Sequence, residues 1–166
     1  MRPRTAITLV LAFALALLAM DSHALYEIVG RPFVQEDCTI EINNHVVHLY
    51  GIYIPPSARE DRCWNLRRGP CTARAALDFR VQGFVHCYPQ GKYDDGSVSA
   101  VCYVNHTTFH QGIDLAAYLL KAGCALATDD APLEYRAYER KAQSLGLGVW
   151  GFPVDTINGQ PFQGHR

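Results

Sequence analysis

The stretch from His45 to Pro56, HVVHLYGIYIPP, constrains the fold most, because it reads as a β-strand that breaks abruptly. Val46, Val47, Leu49, Ile52 and Ile54 are apolar and largely β-branched, which suits a half-buried strand. Gly51 permits a bend inside it, and Pro55-Pro56 removes two backbone donors and ends the ladder. Upstream, Val34–Ile42 (VQEDCTIEI) alternates like another half-buried strand, and Asn43-Asn44 supplies a turn between the two. An antiparallel hairpin with a sudden exit is the expectation, and a functional site fits at such an exit.

The N-terminus reads as a leader. Arg2 and Arg4 precede an apolar run from Ala6 to Met20, and Ser22-His23-Ala24 provides small residues for cleavage after Ala24. That run is shorter than the ~20 residues a bilayer span needs. Residues 1–24 are therefore expected to be a signal peptide, the protein to be periplasmic or secreted, and no membrane to hold it after cleavage. The remaining 142 residues suit one domain, expected over 25–152, with a loosely ordered Gly/Pro/Gln-rich tail over 153–166. Two of the 15 cationic and one of the 16 anionic residues lie in the leader, leaving a net charge of −2. That balance does not support a life on phosphate contacts, so nucleic acid is not favoured as a partner.

All six cysteines fall outside the leader, and an even count in an exported chain reads first as disulfides. Cys63 and Cys71 flank a short polar loop and can close a ring. Cys87 and Cys102 lie in two extended segments joined by a turn, so they can face each other across a hairpin. Cys38 and Cys124 remain as a third pair by elimination. Zinc-type spacings, Cys-x-x-Cys or Cys-x-x-His, are lacking.

Beyond the hairpin, Ser57–Arg68 is polar and expected to be an irregular loop. Thr72–Val81 has helical spacing and stops at Gly83; Phe84–Tyr88 and Val98–Val104 read as strands; Ile113–Ala122 is a heavily apolar helix ended by Gly123; a third helix begins after Pro132. Strands bracketing helices predict an α+β fold, a small antiparallel barrel with helices packed on one side.

Several phrases, in order, resemble the staphylococcal nuclease (thermonuclease-like) family, specifically its exported, cysteine-containing branch. They are VQEDCTIEI, HVVHLYGIYIPP, Cys63 with Gly69-Pro70-Cys71, DDGSVSAVCYV, GIDLAAYLLKAGCALA and YERKAQSLGLGVWG, spanning Val34 to Phe152. The resemblance implies a five-stranded OB-fold β-barrel with about three helices, and calcium-dependent phosphodiester hydrolysis. Such chemistry needs hard oxygen ligands for calcium, a carboxylate base and cations to stabilise the phosphate transition state. Matched to this chain, the family's metal positions fall on Cys38, Tyr53 and Ile54, its base on Pro56, and its two arginines on His48 and Ser97. A thiol is a poor calcium ligand, and a proline takes no proton. The resemblance therefore implies a nuclease-like barrel whose catalytic positions are substituted: a pseudoenzyme with no cofactor.

Two functional expectations follow. The first is binding of an unspecified ligand or protein partner, through a surface that includes Tyr50, Tyr53, Tyr93, Arg59 and Arg62. The alternative is a calcium-dependent nuclease acting on DNA or RNA with displaced carboxylates, Glu36, Asp37, Glu60 and Asp61. Tyr88 and Tyr103 could extend an aromatic face, although packing on strands explains tyrosines as well. Arg59, Arg62, Arg67 and Arg68 are interleaved with acids, as in a solvated loop. His106 and His110 have i, i+4 spacing that could seed a transition-metal site, but they lie in a turn region, and scattered surface roles suit the histidines better.

Overall fold

The computed structural model describes residues 26–59 and 72–151. In chain order the strands are β1 (Ile28–Gly30), β2 (Phe33–Val34), β3 (Ile40–Ile42), β4 (His45–Leu49), β5 (Ile52–Tyr53), β6 (Val85–Lys92), β7 (Val98–Val104), β8 (Ile113–Asp114) and β9 (Leu126–Ala127). The helices are α1 (Pro56–Arg59), α2 (Ala73–Arg80), α3 (Leu115–Ala122) and α4 (Leu133–Ser144), with a 3-10 turn at Gly148–Trp150. Among the described residues, no helix is long and apolar enough to cross a membrane.

The main sheet runs β1-β6-β7-β4-β3-β2, with β8 on β7, while β5 and β9 form a separate pair. β4 and β7 pair in parallel, and every other pairing is antiparallel. Strands β1 and β2 are consecutive in sequence yet lie at opposite ends of the path, so the sheet must curl. β1 comes round to the turn that follows β3: Asn43 donates from Nδ2 to the Val29 carbonyl at 2.9 Å. Gly30 leaves room for that approach, since a Cβ there would lie 2.6 Å from Ile42 Cγ2. The result is an α+β fold built on a curled mixed sheet, a half-barrel.

Alternation fills its concave side. Val98, Ala100, Cys102 and Val104 of β7 are buried, as are Val85 and Cys87 of β6. Leu115, Leu119 and Leu120 of α3 close the core from the helical side. The expected Cys87–Cys102 disulfide is present, joining directly opposed residues of β6 and β7. It suits an oxidising compartment.

Several expectations are corrected. Val34–Ile42 is not one strand. Asp37 accepts from the Thr39 N–H at 3.0 Å and its hydroxyl at 2.7 Å, and Cys38 takes φ +69°. This Asx-type turn competes with the ladder and splits the segment into β2 and β3. Part of the expected loop after Pro56 is the short helix α1. β6 runs on to Lys92 through Pro89, because the register shifts between Pro89 and Gly91 and absorbs the missing donor. Helix α3 begins at Leu115 because Asp114 caps it, accepting from the N–H groups of Ala116 and Ala117. More, shorter strands than five and a fourth helix therefore make up the fold.

Cys38 and Cys124 are unbonded thiols, both buried, so the pairing by elimination is not formed. One thiol sits in the turn before β3 and the other beyond the C-cap of α3, near enough for Cys38 to act on the Cys124 thiol, and each packs as an apolar group in the core. The expected signal peptide over 1–24, the Cys63–Cys71 ring, Glu60, Asp61, Arg62, Arg67, Arg68 and the tail over 153–166 lie outside the described residues.

Candidate functional site

The strand expected to run on to Pro55-Pro56 leaves the main sheet earlier, at Gly51, and there the structure opens a cleft. β4 stays in the main sheet as far as Tyr50, whose N–H donates to the Ala100 carbonyl at 2.9 Å. Gly51 then takes φ +74°, a left-handed conformation that glycine adopts without steric cost. The chain swings away, so Ile52 pairs with Ala127 of β9 and the Thr128 N–H donates to the Gly51 carbonyl at 3.1 Å. Pro55 accepts from the Ala58 N–H, starting α1. Between this departing segment and the Asp37–Thr39 turn lies a cleft of about 230 Å³.

Asp37, Cys38, His48, Tyr53, Ile54 and Arg59 all line it. Three positions matched to metal ligands and one matched to an arginine are thus brought together, carrying a thiol, a phenol, an aliphatic chain and an imidazole. Pro56 and Ser97 are not in the lining. Ser97 is buried and donates to Asp95, from its hydroxyl at 2.6 Å and its N–H at 2.9 Å. Arg59 supplies a guanidinium to the cleft from α1, steadied by Nε donation to the Ile54 carbonyl at 3.0 Å. Tyr93 meets His48 edge to face at 5.1 Å between centroids, and Tyr50 donates its hydroxyl to the Asp130 carbonyl at 3.0 Å.

The electrostatics are mixed. Burial alone would raise the Asp37 carboxyl, but hydrogen bonds from Thr39, with the charges of His48 and Arg59 behind them, hold it below its ordinary value. The Ser97 hydroxyl and N–H hold Asp95 low, with His48 nearby. Burial raises Cys38, keeping it a neutral thiol. The described lining therefore presents two carboxylates, Asp37 and Asp130, one guanidinium, one imidazole and three phenols, Tyr50, Tyr53 and Tyr93.

Of the displaced carboxylates, Asp37 reaches the cleft, while Glu36 is exposed and not part of it. His106 and His110 do not form a pair. His106 stacks beside His86 at 4.8 Å, His86 binds Glu27 at 2.7 Å, and the Gly112 N–H donates to His110 Nδ1 at 2.9 Å. Tyr88 and Tyr103 belong to this second cluster, away from the cleft. Among the described residues, no three His, Cys, Asp or Glu side chains are grouped to hold a metal ion.

Sequence reasoning missed Ser99, Thr128 and Asp130 as lining residues. Ser99 arrives through its register opposite His48, which sequence does not print. Asp129-Asp130 reads as a helix start, yet Pro132 precedes α4 without a side-chain cap, and Asp130 instead accepts from the Thr128 hydroxyl at 2.6 Å. Compared with models of known protein families and with curated proteins, the chain finds no match.

Proposed function

We propose that this is an exported OB-type barrel of the staphylococcal nuclease-like kind that acts by binding at the cleft beneath Gly51 and not by cleaving phosphodiesters. One observation carries the reading. Cys38, His48, Tyr53 and Ile54, the residues that replace the family's metal ligands and one of its arginines, converge on a single cleft. What they bring there suits contact better than hydrolysis. Neither a thiol held neutral by burial nor a phenol offers calcium the hard carboxylate oxygens it prefers. Loss of a single charge-stabilising donor typically costs about 10²–10³ in rate, and here several positions change together. The curled sheet supports the barrel, the Cys87–Cys102 disulfide supports an oxidising compartment, and the leader supports export.

A second reading has its own observation. Asp37 sits in the cleft with His48 and Arg59 acting on its charge, so a calcium-dependent phosphodiesterase could be assembled from displaced groups. Calorimetric titration of the mature, oxidised protein with calcium separates the two. The binding reading expects no saturable heat. A saturable calcium heat that Asp37→Asn abolishes would replace it with the enzyme.

A further inference from the structure

The cleft's own chemistry narrows what it holds. Its described lining carries two carboxylates against one guanidinium, and part of that guanidinium is spent on the Ile54 carbonyl. A further carboxylate, Asp95, lies close enough for His48 to act on it. Even with His48 counted as a cation, the described lining carries no excess of positive charge, which does not favour phosphate. Carboxylates are pure acceptors and bind best to ligands rich in O–H donors. Asp37 uses Oδ1 for both the Thr39 N–H and the Thr39 hydroxyl. The Arg59 terminal nitrogens and the Ser99 and Thr128 hydroxyls add donors and acceptors around the same space.

Rings complete the set. Tyr53 and Tyr93 line the cleft and are each about half exposed, at 50% and 51%. His48 already holds Tyr93 by its edge contact, which limits the ordering cost when a ligand packs on it. Phenol rings beside planar polar groups match a ligand with apolar C–H faces and a hydroxylated rim. The volume, about 230 Å³, lies below the about 300–1,000 Å³ of sites for drug-sized molecules. It has room for a small ring.

Resting on the binding reading above, we infer that this cleft takes an uncharged saccharide, seating one sugar ring between the Asp37 carboxylate and the Tyr53 and Tyr93 rings.

The test is a heteronuclear NMR titration of the mature, oxidised, isotopically labelled protein. The probes are a panel of neutral mono- and oligosaccharides and, separately, inorganic phosphate, a nucleoside and a dinucleotide. A member of the saccharide panel is expected to shift the resonances of His48, Tyr53 and Ser99 saturably. Asp37→Asn, which keeps the oxygen that Thr39 binds, should weaken that saccharide by about 10- to 100-fold, as loss of a hydrogen bond to a charged group does. Tyr93→Ala should weaken it independently. If the nucleoside, phosphate or dinucleotide moves these resonances and no saccharide does, the ligand class is overturned while the binding cleft stands. If a saccharide moves only resonances elsewhere, or Asp37→Asn leaves its affinity unchanged, the assignment to this cleft is overturned. If no probe moves them, the saccharide assignment is overturned, while the binding reading is judged separately by the calcium titration.

Discussion

Single residues decide where this chain bends, and glycines show it most sharply. Gly123 caps α3 with φ +72°, and a Cβ there would lie 2.2 Å from the Leu147 carbonyl oxygen. Gly96 has φ +87° but nothing within 4 Å of the same atom. Gly96→Ala should therefore cost only the left-handed strain, about 1–2 kcal/mol, whereas Gly123→Ala adds overpacking against backbone and should cost about 3 kcal/mol or more. Chemical denaturation of the two variants checks the order; equal losses would refute it. Asp37 provides a prediction with pH. Its carboxyl is held low in the folded protein, so it contributes stability above the ordinary carboxylate value of about 3.9 and loses that contribution as pH falls through the folded value. The stability of Asp37→Asn should decline less steeply on acidification than that of the parent, as measured by denaturation midpoints across that range. Asp37 and Thr39 were legible in the sequence as acid and hydroxyl, but the bond between them was not. The two-residue spacing that permits an Asx turn competes with an apolar alternation that says strand.

Whole elements followed their periodicity wherever a cap or a turn residue agreed with it. α2 and α3 fall within two residues of the spans read from spacing, α4 starts at Leu133 directly after Pro132 as expected, and the Cys87–Cys102 bridge follows from two strands facing across a hairpin. Pairing between distant elements was not legible. The parallel contact of β4 with β7 and the small β5–β9 pair depend on registers that no local pattern encodes. Removing the bridge with Cys87→Ala and Cys102→Ala should cost about 3 kcal/mol, the chain-entropy value for a loop of about 15 residues; unchanged stability in urea would contradict it. At the helical side, Tyr135 is fully buried and donates its hydroxyl to Asp114 Oδ2 at 2.5 Å, while Asp114 Oδ1 caps α3. One carboxylate thus fixes the start of α3 and the packing of α4. Tyr135→Phe should cost about 1.5–3 kcal/mol, as loss of a hydrogen bond to a charged group does. Asp114→Ala should cost more, because it removes the cap and leaves a buried hydroxyl unpaired. Thermal unfolding of the pair gives the ranking.

At the scale of the molecule, the curled sheet and the cleft at its broken strand are one construction. The left-handed Gly51 that lets β4 depart also draws the departing segment onto β9, and the cleft is the gap between that segment and the turn that splits β2 from β3. Half of the cleft was legible. His48, Tyr53, Ile54 and Cys38 were named from the phrase that resembles the nuclease family, and Arg59, Tyr50 and Tyr93 from residue type. Ser99, Thr128 and Asp130 are distant in sequence, and only strand register brings them in. The binding proposal puts a ligand in this cleft with no phosphodiester cut. The measurement to make is cleavage of single- and double-stranded DNA and RNA by the mature, oxidised protein, in calcium and in chelator, beside a catalytically intact nuclease. Intact substrate is expected in both conditions while the control digests; calcium-dependent cleavage that disappears in Asp37→Asn would overturn the proposal.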